Sequence, residues 1–496
     1  MTEIDRRAAL KGGAAMAAFL PAACAQAPAS VVGASEPAAM DGVRMAEAVA
    51  AGEITALELT EGAIARAEAV NPEINAIASA DYDAARERAG EDLTGAYAGA
   101  PTFMKDLIDW KGAPTYFGSR AFKTYVAAED GPFAAQWRAA GMVSLGKSTT
   151  PEMGLISSTE PLVTGPTRNP WNTGRIPGGS SGGAAALVAA RVTPFAHASD
   201  GGGSIRIPAA ACGLFGMKPS RARLGGTRAG DPPPVDISVN HAVTLTVRDS
   251  VALFRAAERL DGGYEPLGEI SGPSTRRLKI GFAPEASTGA AVHADTRAEL
   301  EAAADLCRDL GHEVVEFVPP MDGETFIDQF LMYWASGAAQ FAADAAAFSG
   351  KPVGPEIVEP WTLGLMRMYL SRQDEMGEVV AYLKGFEAAY EAWFEEMDVL
   401  LTPTVSAPAP AIGSQDPAGD YEAVMANVVS WAAFTAPMNV AGAASMSVPL
   451  GMSGDGLPIG AMFSAKRGED GKLFELAYEL EAAAPWIGRR PPVAAA

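Results

Sequence analysis

The chain has 496 residues, 48% of them hydrophobic, enough to bury a large core. Its formal net charge is −22, which argues against nucleic acid or an anionic membrane as a partner, because both would repel it. Length alone is compatible with about two or three domains.

The N-terminus reads as an export leader. Arg6-Arg7-Ala8-Ala9-Leu10-Lys11 resembles a twin-arginine motif, with Asp5 where a small hydroxyl residue is usual. The apolar run Gly12–Ala23 is too short to span a bilayer stably, and Ala25-Gln26-Ala27 fits a cleavage site. Residues 1–27 are therefore expected to be a twin-arginine-type signal, and the Ala/Ser/Pro-rich stretch 28–39 a linker. Lipidation at Cys24 is the lesser alternative, since Pro21 stands where such a signal prefers leucine. A periplasmic or otherwise exported protein without stable membrane insertion is expected. Of the cysteines beyond the leader, Cys212 and Cys307, free buried thiols are expected rather than a disulfide.

Beyond the linker, residues 40–90 carry helix spacing, with Thr55 and Glu58 placed as a capping box. Thr102–Trp110 reads as a strand carrying Lys105 and Asp106, Phe133–Ala140 as a helix, and Gly141–Gly146 as a turn into a short strand. Gly182–Ala190 has no polar side chain and predicts a buried helix; Val192–Ala198 predicts a buried strand. Leu278–Phe282 is a further strand, then a helix from 294 to 310 ended by Gly311, then a strand from Glu313 to Val318. Val399–Leu401 is another buried strand, and the Pro-rich stretches 231–234 and 403–410 read as surface loops. Strands alternating with helices predict an α/β fold.

Two motifs mislead. Gly141-Met142-Val143-Ser144-Leu145-Gly146-Lys147-Ser148 matches the P-loop pattern. A helix precedes it, however, and Thr149-Thr150-Pro151 continues a helix poorly, so a strand is the better reading. Gly179-Ser180-Ser181-Gly182-Gly183 matches G-x-S-x-G around Ser181. An α/β-hydrolase of that kind needs a late histidine. The chain has only His197, His241, His293 and His312, none in its last third. His197 reads as a satisfied core residue and His312 as an exposed turn residue. The residues before Gly179 are not a buried strand either.

What remains is a serine at the end of a second glycine run, Asp200-Gly201-Gly202-Gly203-Ser204, 24 residues after Ser180. Backbone N–H groups in such a run can approach a carbonyl closely and hold a developing oxyanion. Without a credible histidine the base must be another group. Lys105 lies among apolar residues where a strand would carry it inward, but composition alone favours a surface lysine paired with Asp106.

The blocks Gly178-Gly179-Ser180-Ser181-Gly182-Gly183 and Asp200-Gly201-Gly202-Gly203-Ser204-Ile205-Arg206-Ile207-Pro208, with Lys105-Asp106 upstream, resemble the amidase signature family. Pro151-Glu152, Gly165–Trp171 and Gly213–Pro219 add to the resemblance, which is dense from about 99 to 250 and thinner beyond. It implies one domain over 40–496, an α/β fold with a large mixed twisted β-sheet covered by helices on both faces, and a Ser–cis-Ser–Lys triad. In that triad Ser204 would be nucleophile, Ser180 the bridging serine after a cis peptide bond, and Lys105 the base. Gly201, Gly202, Gly203 and Ser204 would supply the oxyanion hole, with Ser181, Asp200 and Arg206 as support. Gly201 departs from the family, which often has a larger residue there.

A small-molecule amide substrate is expected, with no cofactor and no metal; a homodimer is compatible. His197-Ala198-Ser199-Asp200 and 164–171 also resemble the branch containing 6-aminohexanoate cyclic-dimer hydrolase, a hint of linear or cyclic amides. The alternatives are a Ser181-centred Ser-His-Asp esterase, an ammonia-supplying amidotransferase subunit, against which the export leader argues, and an exported binding protein. Aromatic and Met-rich stretches at 326–334 and 361–369 suit either an apolar acyl pocket or ordinary helix core.

Overall fold

The computed structural model describes residues 40–226 and 232–495. The leader and linker readings over 1–39, Cys24 included, and Asp231 lie outside the described residues. The strands are β1 (Ile77–Ala80), β2 (Pro101–Lys105), β3 (Val143–Ser148), β4 (Phe195–Asp200), β5 (Phe215–Lys218), β6 (Val239–Thr244), β7 (Lys279–Phe282), β8 (Glu313–Glu316), β9 (Val399–Pro403), β10 (Ser445–Met452) and β11 (Pro458–Ser464). Eight of them form one mixed sheet in the order β4-β6-β5-β10-β11-β9-β7-β8, and β1-β3-β2 form a small second sheet. The β7 pairings with β8 and β9 are parallel, and the rest of the large sheet is antiparallel.

Successive side chains on a strand face opposite sides, and the large sheet uses both. Val399, Leu401, Ala461 and Phe463 pack with the helices Val247–Ala257, Ala294–Asp309 and Asp470–Ala483. Their neighbours Leu400 and Met462 pack the other way, with helices Gly323–Ser349 and Met376–Ala392. On that same strand logic, Ala196, Ala198 and Val243 join a cluster with helix Gly182–Ala189 and with Ala209 of helix Arg206–Cys212. The result is the α/β architecture expected, a mixed sheet between two helical layers.

Local signals account for much of this. Thr55 caps helix Ala56–Ile74: its hydroxyl accepts the Glu58 N–H at 3.1 Å while Glu58 accepts the Thr55 N–H at 2.8 Å. Helix Gly182–Ala189 is buried on all sides, as its composition predicts. The P-loop-like segment is β3, a fully buried strand paired to β1 and β2. Cys212 and Cys307 are free buried thiols.

Two expectations are corrected. His312 is not an exposed turn residue: it is 5% exposed, its Nδ1 accepts the Leu278 N–H at 3.0 Å, and its Nε2 meets Glu479 at 3.1 Å. The stretch 403–410 is not a surface loop. Val405, Ser406 and Ala409 are buried, and Pro410 accepts the Ile176 N–H at 3.0 Å, because the loop packs under the segment leading to Ser180.

Candidate active site

The small sheet leans on the edge of the large one. The Thr102 hydroxyl donates to Phe195 O at 3.2 Å and the Lys105 N–H to His197 Nδ1 at 3.3 Å, so the end of β2 lies beside β4. This brings Lys105 to the serine loops. Its side chain is fully buried, with Nζ 2.7 Å from Ser180 Oγ, 3.0 Å from Ser199 Oγ and 3.3 Å from Ser199 O. Burial lowers the Lys105 pKa to about 7, against an opposing pull from the Asp200 charge. Asp106 is not its partner: that carboxylate turns away and accepts the N–H groups of Tyr116 at 2.9 Å and Gly118 at 3.1 Å.

Burial alone does not single out Lys105. Lys147 and Lys218 are also buried, which lowers them to about 8 and about 7. Lys147 Nζ donates to Ile108 O and, at 2.8 Å, to Thr115 Oγ1; Lys218 Nζ donates to Pro219 O at 2.8 Å. Both brace loops, and only Lys105 contacts a serine of the glycine blocks.

Ser180 is 2% exposed and follows a cis Gly179–Ser180 peptide bond. A Cβ at Gly179 would stand 2.3 Å from Ser158 O, so only glycine lets the two backbones approach this closely. The Ser180 carbonyl accepts the Thr150 hydroxyl at 2.8 Å. Ser181 opens the buried helix, and its hydroxyl donates to Ser199 O at 3.3 Å and accepts the Ser199 N–H at 3.4 Å. Ser181 thus ties the loop to β4, and no strand precedes it as a nucleophile elbow would require.

Ser204 stands at 7% exposure between β4 and helix Arg206–Cys212. The loop turns around the Asp200 carboxylate. Asp200 Oδ1 accepts from Gly203 N–H (2.7 Å), Arg206 Nη2 (3.0 Å) and Asn439 Nδ2 (2.8 Å); Oδ2 accepts from Ile205 N–H (3.1 Å) and Arg206 Nε (3.0 Å). Burial would raise this carboxyl, but the Arg206 charge and its hydrogen bonds reverse the effect and hold it well below the usual range. Gly203 adopts φ +133°, and a Cβ there would meet Thr435 Oγ1 at 2.4 Å. Because the Gly203 N–H is taken by Asp200, it is not free for a substrate, a departure from the expected donor set. Among the described residues no acceptor takes the N–H of Gly201, Gly202 or Ser204.

Among the described residues no histidine side chain bonds to Ser180, Ser181 or Ser204. His197 is buried between β2 and Asn240, and burial with the Lys105 charge keeps it neutral. His241 Nε2 meets Ser250 Oγ at 2.9 Å, and His293 accepts the Asp295 N–H at 3.2 Å.

Sequence reasoning missed several members. Ser199 sits within His197-Ala198-Ser199-Asp200, and its contact with Lys105 follows from the approach of β2 to β4. Asn439 bridges Asp200 and Arg206, its Oδ1 2.7 Å from Arg206 Nη2, and donates to Ile237 O at 3.0 Å. The Thr435 hydroxyl donates to Gly202 O. Trp334 and Phe330 fill the side-chain space beside Gly201 and Gly202, each within 3.2 Å of a Cβ built there. Phe330 and Trp334 belong to the aromatic stretch 326–334 that the sequence offers as pocket or helix core, whereas Asn439 and Thr435 carry no local signal.

The Amidase family model matches residues 58–474. Putative amidase AmiC of Mycobacterium tuberculosis (strain CDC 1551 / Oshkosh) is 40% identical over 457 residues, spanning 91% of this chain and 96% of that protein. The 6-aminohexanoate-cyclic-dimer hydrolase of Pseudomonas sp. (strain NK87) is 36% identical over 482 residues, with 91% and 96% covered. Among solved structures, a 6-aminohexanoate cyclic dimer hydrolase superposes with TM-score 0.83 at 32% identity, covering 92% of this chain and 99% of that one. A bacterial aryl acylamidase of the amidase signature family reaches 0.80 at 26% identity, covering 91% and 99%. The chain belongs to the amidase signature family and is an amide hydrolase.

Proposed function

We propose that this enzyme cleaves carbon–nitrogen amide bonds through an acyl-enzyme on Ser204, with Ser180 as proton relay and Lys105 as base. The observation that carries this is the 2.7 Å contact between Lys105 Nζ and Ser180 Oγ in a site where burial lowers the lysine to about 7. Neutral Lys105 takes the Ser180 proton while Ser180 takes that of Ser204, which adds to the carbonyl carbon. The N–H groups of Gly201, Gly202 and Ser204 receive the oxyanion. Gly203 contributes through its bond to Asp200, which holds the loop open. Collapse of the tetrahedral species expels the amine, which takes the proton back through Ser180, and water repeats the cycle on the ester.

Arg206, Asp200 and Asn439 form the frame, and Ser181 with Ser199 joins the two loops. The likeness to a cyclic-dimer hydrolase and to an aryl acylamidase supports including both cyclic amides and anilides in a substrate screen. We also propose export through the Arg6-Arg7 leader, on its n-region, apolar run and Ala25-Gln26-Ala27 site; cell fractionation reads this out, and retention of the full-length chain in the cytoplasm would refute it. For the chemistry, Ser204→Ala should abolish turnover with the far-UV spectrum and unfolding midpoint kept. Near-normal turnover would overturn the assignment.

A further inference from the structure

One side chain links the Ser180 side of the site to the oxyanion loop. The Trp334 indole N–H donates to Leu155 O at 3.1 Å, a carbonyl that also accepts the Trp361 indole N–H at 3.0 Å. Leu155 follows Gly154, where a Cβ would stand 2.9 Å from Ser180 Oγ. The far edge of the Trp334 ring reaches the other loop: a Cβ on Gly201 would lie 3.2 Å from Cζ3 and 3.4 Å from Cη2. Phe330, which borders Gly202, packs on the indole with ring centres 5.6 Å apart and so fixes its plane. Leu155, Phe330 and Trp361 are buried, whereas Trp334, Gly201 and Gly202 keep partial exposure. The indole is thus the member of this cluster that borders the approach to the loop.

The direction of proton transfer orients an amide along this ring. The leaving nitrogen takes its proton from Ser180, so the amine lies toward Ser180 and Gly154, at the Leu155 end of the indole. The acyl substituent then lies toward Gly201, at the Cζ3–Cη2 edge. Exposed Ser238 stands there too: a Cβ on Gly201 would be 3.2 Å from Ser238 Oγ as well as 3.2 Å from the ring. A methylene needs about 3.5–4.0 Å to the atoms on each side, so the strip over Gly201 is too narrow for an alkyl chain. We propose that Trp334 determines specificity on the acyl side: its ring edge closes the space that Gly201 leaves open, and the preferred substrates are amides of short acids, acetyl or propionyl, rather than of longer ones. This rests on the Ser204–Ser180–Lys105 reading above.

The test is the ratio of kcat/KM on hexanoyl and acetyl p-nitroanilides, which share one leaving group. The wild-type enzyme should favour the acetyl anilide at least about tenfold. Trp334→Ala empties the space over Gly201 and should raise the hexanoyl-to-acetyl ratio at least about tenfold. Gly201 does not adopt a positive φ, so its backbone admits a side chain, and Gly201→Val added to Trp334→Ala should return the ratio toward the wild-type value. Trp334→Phe keeps the packing on Phe330 but loses the outer ring edge; it should shift the ratio the same way by less, and serves where Trp334→Ala folds poorly. A tryptophan with a purely structural role would lower both rates alike. A hexanoyl anilide cleaved as well as the acetyl one by the wild type, or a ratio unchanged in both Trp334 variants, overturns this inference and leaves the amidase mechanism standing. Failure to cleave any anilide, with no acylation of Ser204, overturns both.

Discussion

Replacing Asp200 by Asn tests the frame that shapes the nucleophile loop. The carboxylate is fully buried and accepts from Gly203, Ile205, Arg206 and Asn439 at 2.7–3.1 Å. An amide can keep the acceptor at one oxygen, but its NH2 must then face the Arg206 donors or the Ile205 N–H. The Arg206 guanidinium, itself 0% exposed, is left without a counter-charge. Removing one partner of such a pair costs about 3–5 kcal/mol, and freeing the Gly203 N–H lets the loop shift, which at about 1 Å costs about 100-fold in rate. The assay is urea unfolding at pH 7 alongside kcat/KM on one anilide. The Asp200 pKa is held below its unfolded value, so its contribution is complete above about pH 4 and is lost only as pH falls further. The difference between wild type and Asp200→Asn should therefore be constant from about pH 5 to 8. A cost under about 1 kcal/mol with activity retained would show that the ion pair is not what holds the loop.

Lys105 must be neutral to act as base, and burial places it at about 7, so kcat/KM should rise with pH through about 7 and level above it; a profile flat across that range would contradict this role. Burial and the neighbouring Glu152 charge push Glu359 up to about 9. A raised carboxyl pKa contributes stability that is complete below about 4 and is lost as pH rises toward 9. Glu359→Gln keeps an acceptor for the Leu162 N–H and should flatten that decline, read as thermal midpoints across the range; parallel declines would refute it. Thr55→Ala removes the capping box and should cost about 0.5–2 kcal/mol in urea unfolding with kcat/KM unchanged.

Legibility followed whether a feature was written locally. The Thr55–Glu58 box, the all-apolar helix Gly182–Ala189 and the strand inside the P-loop-like segment could be read from neighbours in sequence. The central strands β5, β10 and β11 could not. They are buried on both faces, so no solvent-facing polar row marks β5 or β11, and in β10 Pro449 interrupts the Ser445-Met446-Ser447-Val448 alternation. His312 was misread because its partners, Leu278 and Glu479, are distant in sequence and hide what looks like a turn. In the site, the glycine blocks announced themselves, whereas Asn439, 239 residues from Asp200, is placed there only by the tertiary fold. The resemblance places Gly203 among the oxyanion donors because sequence cannot show which way an N–H points; the turn around Asp200 directs it inward.

The most direct measurement is the site of covalent labelling by a fluorophosphonate, located by mass spectrometry of the digested enzyme. Phosphonylation of Ser204 is expected, slowed at least about 100-fold in Lys105→Ala, where the Ser180 relay has lost its base. Label on Ser181, or on Ser204 at an unchanged rate in Lys105→Ala, would contradict it.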